Sequence, residues 1–131
     1  MSLKHTWTTT IKNDAGGAVT SDNPLVLTGE SETNFYVDVA ATSVVIVEVA
    51  VDVSNIISGF LTSDKDITIF TNDATGATGQ TITLLANKAF AWNNTMTFTN
   101  PFTVDITKFY CDNDPGATLA KVRGGFLTNQ V

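Results

Sequence analysis

Between Ser43 and Leu61 the chain reads Ser-Val-Val-Ile-Val-Glu-Val-Ala-Val-Asp-Val-Ser-Asn-Ile-Ile-Ser-Gly-Phe-Leu, and Val45, Val47, Val49, Val51 and Val53 recur at every second position. Successive side chains of an extended chain point to opposite faces, so these five valines line one face of a strand. Val44, Ile46, Glu48, Ala50 and Asp52 line the other face, apolar at its start and acidic further on. An apolar face of this length needs a second sheet opposite it, which excludes an isolated hairpin. We therefore expect the valine strand to be the element around which a sandwich core is built.

The rest of the chain supplies many short strands and frequent turns. Strand composition recurs at Leu3–Lys12, Leu25–Gly29, Asn34–Ala40, Gly59–Ser63, Ile67–Thr71, Gln80–Leu85, Ala89–Trp92, Thr95–Asn100, Thr103–Ile106 and Ala117–Leu127, the last interrupted by Gly124-Gly125. Asn13 to Gly17, Asp22-Asn23-Pro24, Asp64-Lys65-Asp66, Asn72 to Gly79, Ala86-Asn87-Lys88 and Asp112 to Gly116 are turns or breaks, with Ala18–Ser21 able to pair back. A single helical turn at Val53–Ile56 can be capped by Asp52 or Ser54. No segment carries a 3.6-residue apolar period over eleven or more positions. These signals predict an all-β, single-domain antiparallel β-sandwich spanning 1–131, jelly-roll-like in topology, with residues 1–10 an N-terminal arm or edge strand.

One pattern occurs twice. Val51-Asp52-Val53-Ser54 leads into Gly59-Phe60-Leu61, and Val104-Asp105-Ile106-Thr107 leads into Lys108-Phe109-Tyr110. In each, the Asp and the hydroxyl can accept free backbone N–H groups where one strand hands over to the next, as two similar sandwich corners would require.

Charged residues make up 15% of the chain, against roughly 25% in typical globular domains. Threonine, about one residue in six, takes their place. Such an exterior suits a β domain partly covered by neighbours. A net charge of -6 without a basic cluster argues against nucleic acid and against anionic membrane as partners. The first residues, Met-Ser-Leu-Lys-His-Thr-Trp, do not form a secretory leader, and Cys111 is the sole cysteine, so folding in a reducing cytosol is expected.

The chain offers little catalytic chemistry. His5, the only histidine, has no carboxylate or thiol beside it in sequence, and no Gly-x-Ser-x-Gly elbow exists for a Ser-His-Asp triad. Cys111 lies among acidic neighbours and reads as a small buried hydrophobe. One Cys and one His cannot supply a conventional zinc site. The acidic turns Asp64-Lys65-Asp66 and Asp112-Asn113-Asp114 could offer oxygens to calcium, but neither has the EF-hand spacing, and turn formation explains them. We expect no enzyme activity, no cofactor and no metal site. Trp7, Trp92, Tyr36 and Tyr110 could stack against sugars on a sandwich, although core packing or subunit contact is the commoner fate of such rings.

The order Val51-Asp52-Val53-Ser54 through Phe70-Thr71-Asn72, then Thr81-Ile82-Thr83-Leu84, Ala86-Asn87-Lys88 and Ala91-Trp92, then Asn100-Pro101-Phe102-Thr103-Val104-Asp105-Ile106-Thr107-Lys108-Phe109-Tyr110, resembles the small β-sandwich capsid decoration, or cement, proteins of tailed bacteriophages. The likeness covers roughly the last two-thirds of the chain and rests on pattern and order. The resemblance implies a virion protein made in the bacterial cytoplasm and bound to the capsid exterior. Its implied partners are the major capsid protein and further copies of itself, a trimer before a dimer. Trp7, Trp92 and Phe102 are the candidate interaction residues, with Trp7 as the anchor of the N-terminal arm. The alternative is a carbohydrate- or receptor-binding sandwich module of a phage tail or fibre.

Overall fold

A computed structural model of the protein describes residues 3–8, 25–97 and 100–129. Ten strands occupy them: β1 (Leu3–Trp7), β2 (Leu25–Gly29), β3 (Ser31–Val39), β4 (Val44–Val51), β5 (Ile56–Ser63), β6 (Ile67–Thr71), β7 (Thr81–Leu84), β8 (Phe90–Asn93), β9 (Ile106–Asp112) and β10 (Ala120–Thr128). The expected turn at 13–17, the return strand at 18–21 and the break at 22–24 lie outside the described residues. Two four-stranded antiparallel sheets, ordered β3-β10-β5-β8 and β4-β9-β6-β7, pack face to face, and β1-β2 forms a separate ribbon. The antiparallel β-sandwich expected from the alternating pattern is what forms.

The pairing has a simple logic. β6 and β7 are neighbours, β5 pairs with β8, β4 with β9 and β3 with β10, the rungs of one long antiparallel hairpin folded at β6–β7. Wrapping that hairpin on itself brings β10 against β5 and β9 against β6, which closes two sheets over one core.

The core is aromatic at its centre. Phe109 of one sheet stacks on Phe126 of the other, with centroids 5.6 Å apart and planes 12° from parallel. Phe126 also meets Trp92 and Phe102 at 5.9 and 6.1 Å. Ile69, Leu84, Ile106 and Val122 close the surrounding layer. The predicted inward residues of Ile67–Thr71 and Gln80–Leu85 are buried as the alternation requires.

Four elements depart from expectation. The valine strand is not central: among the described residues β4 is the outer strand of its sheet, with only β9 beside it. Val45, Val47 and Val49 are half-buried, and full burial comes only at Val51 and Val53. The closing strand is not interrupted, because β10 runs unbroken through Gly124 and Gly125 and is flanked by β3 and β5. Those glycines are sites of close approach: a Cβ on Gly124 would collide with the Phe35 ring and Leu61, and one on Gly125 would lie 2.5 Å from Phe60 Cε1. Finally, residues 94–97 turn rather than extend, with Met96 exposed, and Thr103 to Asp105 lie outside any strand, β9 beginning at Ile106.

Candidate functional site

The β1-β2 ribbon lies on the outside of the β3-β10-β5-β8 sheet and collects the lone histidine into a polar cluster. β5 carries one extra residue where its register with β10 shifts, and this bulge sends Ile56 inward and Ile57 outward. Ile57 and Leu127 meet Leu27, Leu3 and Trp7 of the ribbon in a second, smaller apolar cluster. The Trp7 indole N–H donates to Ser58 Oγ at 2.9 Å. His5 Nδ1 lies 2.9 Å from the same oxygen, and His5 Nε2 lies 3.2 Å from Glu32 Oε1. One tautomer satisfies the whole line: Ser58 O–H donates to Nδ1, and Nε2–H donates to Glu32. The hydrogen bond from Asn34 first, with a lesser contribution from His5, holds the Glu32 carboxyl below its usual value against the opposing effect of burial.

Serine, histidine and carboxylate in a row is also the order of a nucleophilic triad, and the chain supplies it from three strands. Sequence reading missed it because Ser58, His5 and Glu32 are distant in the chain. The surroundings direct it to docking. Ser58 is 1% exposed, and its oxygen already accepts the Trp7 N–H, so the atom that would attack a substrate is enclosed. The adjoining hollow of about 290 Å³, lined by Lys4, Thr6, Trp7 and Phe60 among others, opens beside this line. In the described residues the first strand is therefore fastened to its own sandwich.

The two repeated corners meet. Asp105 Oδ1 accepts the backbone N–H of Val53 at 3.0 Å, so the carboxylate of one corner serves the other. Asp52 caps the single 3-10 turn Val53–Asn55 by accepting from the Ser54 N–H and hydroxyl and from Asn55 Nδ2. Asn100 Nδ2 donates to the Val53 carbonyl and Asn72 Nδ2 to that of Asp105. Their polar groups answer one another's backbone, as structural corners require.

The acidic turns also converge. Asp66, Asp112, Asn113 and Asp114 border one hollow of about 180 Å³. Their carboxylates are engaged in shaping the turns: Asp64 accepts from the Lys121 N–H, Asp66 from that of Ala86, and Asp112 from that of Asp114. Among the described residues, no three His, Cys, Asp or Glu side chains stand together as a metal site.

The long polar loop 72–79 is organised by Asp73. Its carboxylate accepts from the N–H groups of Thr75, Ala77 and Thr78 and from both threonine hydroxyls. Thr78 first, and then Thr75, hold its pKa far below the usual carboxylate range. A depressed folded value means that the stabilisation is present above the unfolded pKa and is lost only as pH falls through the folded one. Asp73→Ala should therefore speed amide exchange at Ala77 and Thr78 at least a few-fold at neutral pH. The parent loop should keep its protection through mild acid; equal exchange in both proteins would refute this role.

The candidate interaction residues separate. Trp92 and Phe102 lie in the core, 5.3 Å apart between ring centroids, and neither faces a partner. The correction has a plain cause: the apolar-alternating pattern of a core strand is the same as that of a contact strand. Trp7 is half-buried against Ser58. Of the proposed sugar-stacking rings, Tyr36 is half-exposed with the Arg123 guanidinium 4.8 Å from its centroid. The pair lines a hollow of about 380 Å³ with Thr62, Asp64, Asn87 and Lys121. Tyr110 is half-buried on the outer face of the opposite sheet. Cys111 is fully enclosed, and burial pushes its thiol up to about 12. Comparison with protein-family models, with curated proteins and with solved structures gives no match.

Proposed function

We propose that this chain is a virion structural protein of a tailed bacteriophage that binds the major capsid protein, forms homo-oligomers and braces the capsid exterior. The observation carrying this reading is the wrapped-hairpin sandwich with an apolar outer strand. The order β3-β10-β5-β8 over β4-β9-β6-β7 supports the jelly-roll reading, an architecture that recurs in viral capsid and lectin domains. The apolar residues left outside it, Val44, Ile46, Leu85 and Val104 among them, offer contact area. The capsid as partner comes from the resemblance, and fold-level analogy supports it only by class.

Capsids assembled from the phage's own shell protein without this chain provide the test. Saturable binding of the purified protein, with a higher temperature of capsid disruption, is expected. Absence of binding at micromolar concentration would overturn the reading. A second reading, a carbohydrate- or receptor-binding module, draws on the hollow beside Tyr36 and Arg123, where a ring face stands among polar side chains. Retention on a glycan that Tyr36→Ala abolishes, with no capsid binding, would favour it instead.

A further inference from the structure

Four strands end the two sheets, and they are not equally protected. β7 and β8 are four residues long. β3 carries Glu32 and Asp38 on its outer face. Short length and charge are the devices by which sheet edges avoid pairing with other chains. β4 is less protected: it is eight residues long, and Glu48 is its one charge. On the outer face its Val44 and Ile46 are 49% and 52% exposed.

The outer face continues this apolar character inward. Ile46 lies opposite Tyr110 on β9, and Tyr110 lies opposite Phe70 on β6, so the three form a row across the sheet that ends at the free edge. Glu48 lies opposite Lys108, which balances its charge within the sheet. The register shifts beyond Glu48, leaving Val44–Glu48 as the regular stretch of edge.

We infer that β4 pairs with β4 of a second copy, antiparallel and two-fold symmetric about Ile46, joining two sandwiches through a continuous eight-stranded sheet. The segment is complementary to itself in this register. Ile46 faces Ile46 of the second copy, Val45 faces Val47, and the row Phe70–Tyr110–Ile46 continues through its symmetry mate. The two Glu48 side chains fall at opposite ends of the pairing. Centring on Glu48 would set those carboxylates against each other, and centring on Val47 would set Ile46 against Glu48, so charge disfavours both of those registers. An interface of this kind is isologous and closes at two copies. It deepens the homo-oligomer part of the proposed function, choosing the dimer over the trimer, and it does not require capsid binding.

Sedimentation or light scattering of the full chain over a concentration series tests it, together with two variants. Ile46→Lys should weaken dimerisation about fivefold or more, because the facing apolar pair is lost and two ammonium groups would then face each other. Ile46 is half-exposed, so the monomer's thermal unfolding should change little. Ile46→Cys should form a disulfide-linked dimer under mild oxidation, since facing residues place Cβ atoms about 5 Å apart. The enclosed Cys111 should not compete. A protein that is monomeric throughout, an oligomer that Ile46→Lys leaves intact, or an Ile46→Cys protein that does not cross-link would each overturn the inference. Capsid binding by a monomer would preserve the decoration reading while removing this one, and a dimer without capsid affinity would do the reverse.

Discussion

Trp92→Ala should lower the unfolding free energy by about 3–5 kcal/mol, the cost of emptying a large aromatic site in a packed core. Trp92 is 1% exposed and touches Phe90, Phe102 and Phe126, so the cavity would be walled by rings on several elements that cannot all close inward. Trp92→Phe should cost much less, under about 2 kcal/mol. The indole N–H has no acceptor among the described residues, and its loss removes a buried unsatisfied donor along with the lost contacts. Gly59 provides an internal check. A Cβ there would lie 2.6 Å from Trp92 Cζ2 and 3.1 Å from Phe126 Cδ1. Gly59→Ala should therefore destabilise the parent by about 1–3 kcal/mol, and by clearly less in the Trp92→Ala background, where the offending ring is gone. Urea unfolding of the four proteins followed by circular dichroism measures the coupling. Strict additivity would mean that the two residues do not share this space.

The second large effect is expected at Asn113, which follows the end of β9. Its Nδ2 donates to the carbonyls of Val39, Thr118 and Ala40 at 3.0, 2.8 and 3.3 Å. Its own N–H donates to the Ser43 carbonyl, and its carbonyl accepts from Thr42. One buried side chain thus ties the β3–β4 corner to the loop that leads into β10. Asn113→Ala should cost about 3 kcal/mol, because carbonyls are left in a site that water does not reach. Asn113→Asp should be worse at neutral pH, since an ionised carboxylate would replace the donor facing those carbonyls. Its folded pKa would then be raised, so the penalty is fully present above that raised value and shrinks as pH falls from it to the ordinary carboxylate value. Thermal unfolding of Asn113→Asp across that range should show its deficit narrowing on acidification. A pH-independent deficit would show that the amide donor is not what holds the corner.

Much of this architecture was legible in the chain. A short turn at Val53–Ile56 capped by Asp52 or Ser54 is legible because a side-chain oxygen at the head of a turn can meet its free N–H, and Asp52 is the residue that does so. Period two puts Ile67, Ile69 and Thr71 on one face and turns Ile82 and Leu84 inward, and all five are buried. The repeated Asp-apolar-hydroxyl corners were visible as a pattern. That Asp105 serves Val53 was not visible, because the bond joins residues far apart in the chain. The same distance hid the Ser58–His5–Glu32 line. Trp92 and Phe102 were misplaced for a different reason: hydrophobicity identifies rings that leave water, not whether their own fold or a partner covers them.

The valine strand separates the two kinds of information most clearly. Alternation over Val45 to Val53 determined, by itself, that this segment extends and that one of its faces turns from water. It could not determine how many neighbours the strand has. Period two is the same for an edge strand and a central one, because alternation records what lies above and below the sheet and not what lies beside it. The neighbours were decided by pairings across the whole chain: β9 is the rung opposite β4 in the long hairpin, and wrapping sets β6 on the other side of β9 rather than on the other side of β4. That wrapping buried Gly124-Gly125 at the middle of one sheet and left Val44 and Ile46 at the free edge of the other.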